Sequence, residues 1–332
     1  MKRIIALLTS LLVILTVFSG CGTSKKDSAK SPDEKKMTVG VIQFASHPSL
    51  DNCYKGVEQA LKEAFGDDIT IDLQNGNADS PTCDSIAKNM VAKNYDMIIP
   101  IATPAALSAY AAIKNTNIPV VFCAVSDPIA AGLAKSLDKP ESNCTGTSDI
   151  LNLDAQVELI KSMQPDVKKI GVLYTTSEAN SVSQLKLLEK IADKQGIKVI
   201  AQGVQGASDI PQAASSLCTK VDCINNFTDN NVVNNLSILL EQANTAGIPV
   251  YGSEVEQVAN GCLASESIDY VALGNKTGEM AAEILKGAKV SGIAIATIKD
   301  TAPVINKDVA AAFKIEIPDA YKNAEFVTTS KE

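Results

Sequence analysis

Tryptophan is absent from this 332-residue chain, and aromatic residues make up only 4% of it. Stacking platforms for single-stranded nucleic acid are therefore not expected. Positive charge is in deficit as well: 30 Lys and Arg stand against 38 Asp and Glu, for a formal net charge of −8. Binding to nucleic-acid phosphates depends on Lys and Arg, so nucleic acid is excluded as a partner. His47 is the only histidine, and a Ser-His-Asp site would have to use it, with no serine marked as its partner. The sequence contains no GxSxG elbow, no GxGxxG after its first strand, no Walker loop and no HExxH. Gly146-Thr147-Ser148 lacks the following glycine that a hydrolase turn needs. Neither an enzyme nor a cofactor is expected.

Cysteine is better represented, but its arithmetic is awkward. Beyond Cys21 there are seven: Cys53, Cys83, Cys123, Cys144, Cys218, Cys223 and Cys262. An odd number cannot pair completely, and the spacing is not that of a zinc site, so no metal is expected. Cys218 and Cys223 are the nearest pair and could be bridged; the alternative is that the seven act as small buried hydrophobes.

The N-terminus reads as an export signal. Lys2 and Arg3 precede an apolar run (4–18) too short to span a membrane comfortably. Phe18-Ser19-Gly20-Cys21 follows and resembles a bacterial lipobox, with cleavage before Cys21 and lipidation of that cysteine. Residues 22–36 (GTSKKDSAKSPDEKK) offer almost nothing to bury and read as a flexible tether. The expected location is extracytoplasmic, lipid-anchored to the bacterial cell membrane.

From residue 37 the pattern is strand then helix, repeated. TVGVIQF (38–44) reads as a buried parallel strand, and further strands are expected at 69–73, 95–100 and 118–124, with helices at 51–65, 82–93 and 104–114 between them. After Ser126-Asp127-Pro128 an Ala-rich helical run is expected. KIGVLY (169–174) restarts the alternation, with strands at 198–203, 223–227 and 249–252. Such alternation implies βαβ units and doubly wound parallel sheets, an α/β fold of two Rossmann-like lobes. Length permits two domains. The expected division is 1–20 signal peptide, 21–36 tether, 37–146 with 256–290 as lobe 1, and 147–255 with 291–332 as lobe 2. Three crossings, near 145–149, 253–256 and 291–296, would form the hinge beside the cleft.

In open α/β sheets ligands bind beyond the carboxyl ends of the strands. In lobe 1 those ends carry Ser46, His47, Pro48, Thr103, Pro104, Ser126 and Asp127; the hinge carries Ser148 and Asp149. In lobe 2 they carry Ser177, Asn180, Ser181, Thr228, Asp229, Asn230, Ser253 and Glu254. Taken singly, these residues are what helix N-caps require. Taken together, they put helix N-termini from both lobes beside one cleft, where free N–H groups favour an anion such as a carboxylate. Asp127, Asp149, Asp229 and Glu254 are candidates for holding an ammonium.

Several motifs resemble those of the substrate-binding lipoproteins of ABC transporters of the tryptophan/tyrosine type. They are HPSLD (47–51), ATPAA (102–106), IPVVFCAVSDPIAAGL (118–133), NCTGTSD (143–149), KIGVLYTTSEANS (169–181) and ALGNKTGEMAAEILKG (272–287). Cys144 stands where Val is more usual, and Ser126 where Thr is common. The resemblance implies a type I periplasmic-binding-protein fold and a monomer that captures a small molecule between its lobes by hinge closure. It also implies delivery to an ABC permease and its ATPase. An amino acid, aromatic such as Trp, Tyr or Phe, is the expected ligand. A branched-chain amino acid, a purine nucleoside or a sugar stays open, as does a tethered ligand-sensing subunit of a signalling receptor.

Overall fold

Residues 36–298 and 301–330 are described by the structure, a computed structural model. The expected signal peptide, Cys21 and the tether up to residue 35 lie outside the described residues. The first lobe starts with β1 (Met37–Gln43), α1 (Pro48–Phe65), β2 (Ile69–Asn75), α2 (Ser80–Ala92), β3 (Met97–Ile101), α3 (Thr103–Ala112), β4 (Val120–Phe122) and β5 (Cys144–Ser148). In β3 to β5 every residue is buried, as expected where helices cover both faces of a parallel sheet.

The chain then enters the second lobe. There it forms α4 (Leu153–Met163), β6 (Lys169–Thr175), α5 (Ala179–Lys194), β7 (Lys198–Val204), α6 (Ile210–Cys218) and β8 (Cys223–Asn225). It continues through α7 (Asn230–Asn234), α8 (Leu236–Ala246), β9 (Val250–Tyr251), α9 (Val255–Ala259) and β10 (Ala264–Ser267). It returns to the first lobe for α10 (Tyr270–Leu285) and β11 (Ala296–Thr297). It ends in the second with β12 (Ala302–Asn306), α11 (Lys307–Ala312) and β13 (Glu325–Val327).

The first lobe's sheet runs β2-β1-β3-β4-β5-β11 and the second's β7-β6-β8-β9, both parallel throughout. Each order reverses around its first strand, which opens a crevice at the strands' carboxyl ends. The second sheet is extended at its edge. The Leu263 amide donates to Val250 O (2.6 Å) and the Gly252 amide to Ala264 O (2.9 Å), and β10 then pairs antiparallel with β12.

That pairing moves two expected crossings. The strand at 264–267 belongs to the second lobe, with Leu263 and Ala264 in its core, whereas Ile268 and Tyr270 sit in the core of the first. The second crossing is therefore at Ser267–Ile268, not at 253–256. Residues 293–297 remain with the first lobe because β11 pairs with β5, so the third crossing follows Thr297 instead of lying at 291–296. The first crossing follows Ser148. The helix expected after Pro128 is also missing: residues 128–132 form turns. Asp127 Oδ1 accepts the Ala130 amide, the Leu133 amide returns to Pro128 O, and Gly132 takes φ 74°, so the turn closes before a helix can propagate.

All seven described cysteines are free and buried. Cys218 and Cys223 are not bridged, and each fills a different core of the second lobe.

Helix α10 is docked on α1 at backbone contact. A Cβ on Gly274 would lie 2.0 Å from the Cys53 carbonyl oxygen, and one on Gly56 would lie 2.2 Å from that of Val271. This places the start of α10, with Tyr270, hard against the first turns of α1.

Candidate functional site

Between the lobes lies a cavity lined by His47, Ser49, Leu50, Ala102, Thr103, Ala124, Ser126, Asp149 and Tyr270 from the first lobe and its crossings. Asn180, Thr228, Asn230 and Glu254 close it from the second. Its cavity volume is about 10 Å³, room for barely one water molecule. The lobes are thus closed tightly on each other.

In the first lobe, β1 and β3 deliver the N-termini of α1 and α3 to the cavity. His47 is the N-cap of α1 and Thr103 opens α3. Ala102 and Ala124, at the ends of β3 and β4, take φ of 80° and 54°, a region that L residues avoid. Strain of this kind collects at ligand sites held by their surroundings. The Thr103 hydroxyl is buried without a hydrogen-bond partner, and the buried ring nitrogens of His47 meet none in good geometry, although the Asn230 side chain stands beside the ring. Burial lowers the His47 pKa to about 4, against the pull of Asn230 and Asp51, so the ring is neutral at pH 7.

In the second lobe the cavity residues are held from behind by Glu178. Its carboxyl accepts from the Asn230 amide (3.0 Å), Asn230 Nδ2 (2.6 Å), the Asn231 amide (3.1 Å) and Asn180 Nδ2 (3.1 Å). Burial, reinforced by the charge of Asp229, pushes the Glu178 pKa up to about 8. Asn180 Oδ1 is left without a partner.

Two further carboxyls face the cavity. Asp149 accepts from Ser126 Oγ (3.0 Å) and Tyr270 Oη (3.1 Å), one bond on each oxygen. Burial raises its pKa, while those bonds oppose the rise. Glu254 accepts from Gln257 Nε2 on Oε1 (3.0 Å). Burial, followed by the neighbouring charge of Glu256, pushes its pKa up to about 8. No Lys or Arg lines this cavity, and the chain's one arginine is Arg3. Among the described residues no group of three or more His, Cys, Asp or Glu could hold a metal ion.

Of the residues expected from sequence, His47, Thr103, Ser126, Asp149, Asn180, Thr228, Asn230 and Glu254 come together around the cavity. The others do not line it. Ser46, Pro48 and Ser177 are exposed, and Pro104 is buried in α3. Ser148 donates to Ser126 O, Ser253 to Asn226 O, and Ser181 to Asp229. Asp229 is fully engaged, accepting from the Thr175 amide and hydroxyl, Ser181 Oγ and the Val232 amide. Asp127 accepts from Ser183 Oγ across the lobes, at the rim. Ser49 stands in the same stretch after the first strand that sequence reading named, whereas Leu50, Ala102, Ala124 and Tyr270 were missed, as was Glu178 behind them. The strand-end rule could have given Ala102 and Ala124, whereas nothing local marks Tyr270.

Known proteins share this architecture. The tyrosine-binding protein of Clostridioides difficile (strain R20291) is 40% identical over 323 residues, covering 95% of this chain and 93% of that one. The crystal structure of an ABC domain in complex with L-Trp from Streptococcus pneumonia superposes with a TM-score of 0.85 at 37% identity, over 88% of this chain and 99% of that one. The ligand-free, open structure of a substrate-binding protein with adhesive properties from Clostridium difficile gives 0.67 at 40% identity, over 89% and 100%. The chain thus superposes better on the ligand complex than on the ligand-free, open protein. The two-lobed α/β fold is that of type I periplasmic binding proteins. The sequence pattern of the ABC transporter substrate binding protein matches residues 38–327, and the chain belongs to that family of binding proteins, which are not enzymes.

Proposed function

We propose that this chain captures an aromatic amino acid of the tyrosine or tryptophan kind between its lobes and hands it to an ABC permease driven by a cytoplasmic ATPase. The observation that carries the ligand class is the charge of the cavity: two carboxyls, Asp149 and Glu254, with no Lys or Arg opposite them. A cavity of that sign suits an ammonium group. The ligand carboxylate would be held by neutral donors, at the N-termini of α1 and α3, by Thr103, whose hydroxyl has no partner, and by His47. The names of the similar tyrosine-binding and L-Trp-bound proteins support the aromatic side chain.

Ligand enters between parted lobes and contacts both. It therefore binds the closed arrangement more tightly and shifts the population toward it. The site residues, the monomeric state, lipidation at Cys21 and residence on the outer face of the membrane belong to the same proposal. Among the described residues no helix is long and apolar enough to cross a membrane.

Thermal shift of the purified protein tests this. L-Tyr, L-Trp and L-Phe are each compared with tyramine, which lacks the carboxylate, and with 3-(4-hydroxyphenyl)propionate, which lacks the amine. A ligand at a hundred times its Kd adds about 2.7 kcal/mol of stability. Stabilisation by the aromatic amino acids, lost when the amine is removed, is expected. Stabilisation only by a branched-chain amino acid, a nucleoside or a sugar would keep the binding role and overturn the ligand class.

A further inference from the structure

We infer that Glu254, and not Asp149, is the acid that pairs with the ligand's ammonium, and that it releases a proton to solvent as the ligand binds. This rests on the amine-bearing ligand proposed above. Asp149 already has a donor on each oxygen, Ser126 on one and Tyr270 on the other, and both donors are buried with it. Glu254 accepts from Gln257 Nε2 on Oε1, while the Ser49 hydroxyl beside its carboxyl also lies 3.5 Å from Glu256 Oε2, and the residue is 1% exposed at the cavity wall. The less firmly held acceptor therefore belongs to Glu254.

The surroundings of Glu254 decide its charge. Asp149 faces it from the end of β5, Glu256 from its own helix α9, Cys53 and His47 from α1, Tyr270 from α10, and Cys262 from the turn before β10. Each of these is an acid, a group neutral at pH 7 or a buried thiol; none is a cation. In such a cavity two carboxylates 'with no counter-charge' repel each other, and the cheaper state keeps a proton on one of them. Burial is the larger cause in the same direction, and it pushes the Glu254 pKa up to about 8. When an ammonium enters, the attraction favours the carboxylate. The proton leaves for solvent, and a carboxylate–ammonium pair remains.

Isothermal titration calorimetry of the full-length protein with L-Tyr or L-Trp at pH 7, in phosphate and in Tris, reads the proton directly, because the two buffers differ in ionisation enthalpy. The quantity compared is the number of protons released by the wild type minus that released by Glu254→Gln. This difference removes any proton taken up elsewhere, for example by His47 against the ligand carboxylate. Close to one proton is expected, together with a Kd for the wild type that rises several-fold per pH unit between pH 7.5 and 6. Glu254→Gln should bind at least tenfold more weakly with a flat pH profile, and Asp149→Asn should keep the proton release. Binding with a difference of zero overturns the inference but leaves the ligand reading intact. Release that persists in Glu254→Gln and vanishes in Asp149→Asn assigns the pairing to Asp149 and overturns it as well. Absence of binding by every aromatic amino acid overturns both readings. Should Glu254→Gln fail to fold, the pH dependence of the wild-type Kd decides alone: a flat profile between pH 6 and 7.5 refutes the coupling.

Discussion

Glu254 and Glu178 are buried acids whose pKa the fold raises. Their ordinary value is 4.5, and both are pushed up to about 8 by burial. A folded-state pKa above the unfolded one means that the native protein binds more protons than the unfolded chain between those values. Stability is then full below pH 4.5 and is lost progressively as pH rises toward 8. His47 works the other way, since its pKa falls from 6.5 to about 4, but it acts only below pH 6.5. Between pH 6.5 and 8 the carboxyls act alone. The ligand-free protein should therefore melt several degrees lower at pH 8 than at pH 6.5, read by calorimetry. An unchanged or higher Tm at pH 8 would refute the raised pKa values. At this scale about half of the site was legible. Polar residues at strand ends pointed to His47, Thr103, Ser126, Asn180, Thr228, Asn230 and Glu254. The same rule over-collected Ser181, Ser253 and Asp229, because a polar residue at a helix start looks the same in sequence whether it faces a ligand or staples its own backbone. Glu178 escaped because its role comes from residues 52 and 53 positions away.

Among the elements, α10 matters most to the cavity's geometry. It delivers Tyr270 to Asp149, and its position is fixed by close approach to α1 through Gly274, Gly278 and Gly56. A Cβ on Gly278 would lie 2.6 Å from that of Ala60 and one on Gly274 would meet backbone, which cannot move aside as a flexible side chain can. Gly274→Ala should cost about 1–3 kcal/mol through overpacking. It should also weaken ligand binding, since parting α10 from α1 withdraws Tyr270 from Asp149. Denaturant unfolding measures the first effect, and ligand titration of the folded fraction measures the second. A stable variant of wild-type affinity would show that the helices can slide apart freely. The alternation of strands and helices was plain from hydrophobic runs such as KIGVLY. The destination of β10 was not, because a strand followed by a helix is ordinarily one unit on one sheet. Here edge hydrogen bonds from Leu263 to Val250 keep β10 with the second lobe while α10 crosses to the first.

Over the whole molecule, what matters is the balance between open and closed lobes, and two polar contacts outside the cavity lining bear on it. Asn52 Nδ2 on α1 donates to Glu256 Oε1 on α9 (2.7 Å), with Ser49 Oγ 3.5 Å from the other oxygen. On another side Ser183 Oγ on α5 donates to Asp127. Both join lobes that share only three crossings, and both must break when the cleft opens. A ligand that binds the closed arrangement has an apparent affinity scaled by the fraction of molecules able to close. Removing one contact, as in Asn52→Ala or Ser183→Ala, should cost the closed state about 0.5–1.5 kcal/mol. That raises Kd by roughly 2- to 10-fold, although neither residue lines the cavity. The rise should appear in the dissociation rate, and small-angle scattering of the ligand-free variant should show a larger radius of gyration than that of the wild type. The double variant should combine the two losses additively, because the contacts lie on different sides and share no partner. Variants that keep the wild-type Kd while the scattering shifts would mean that closure contributes nothing to capture, and the hinge mechanism would have to be abandoned.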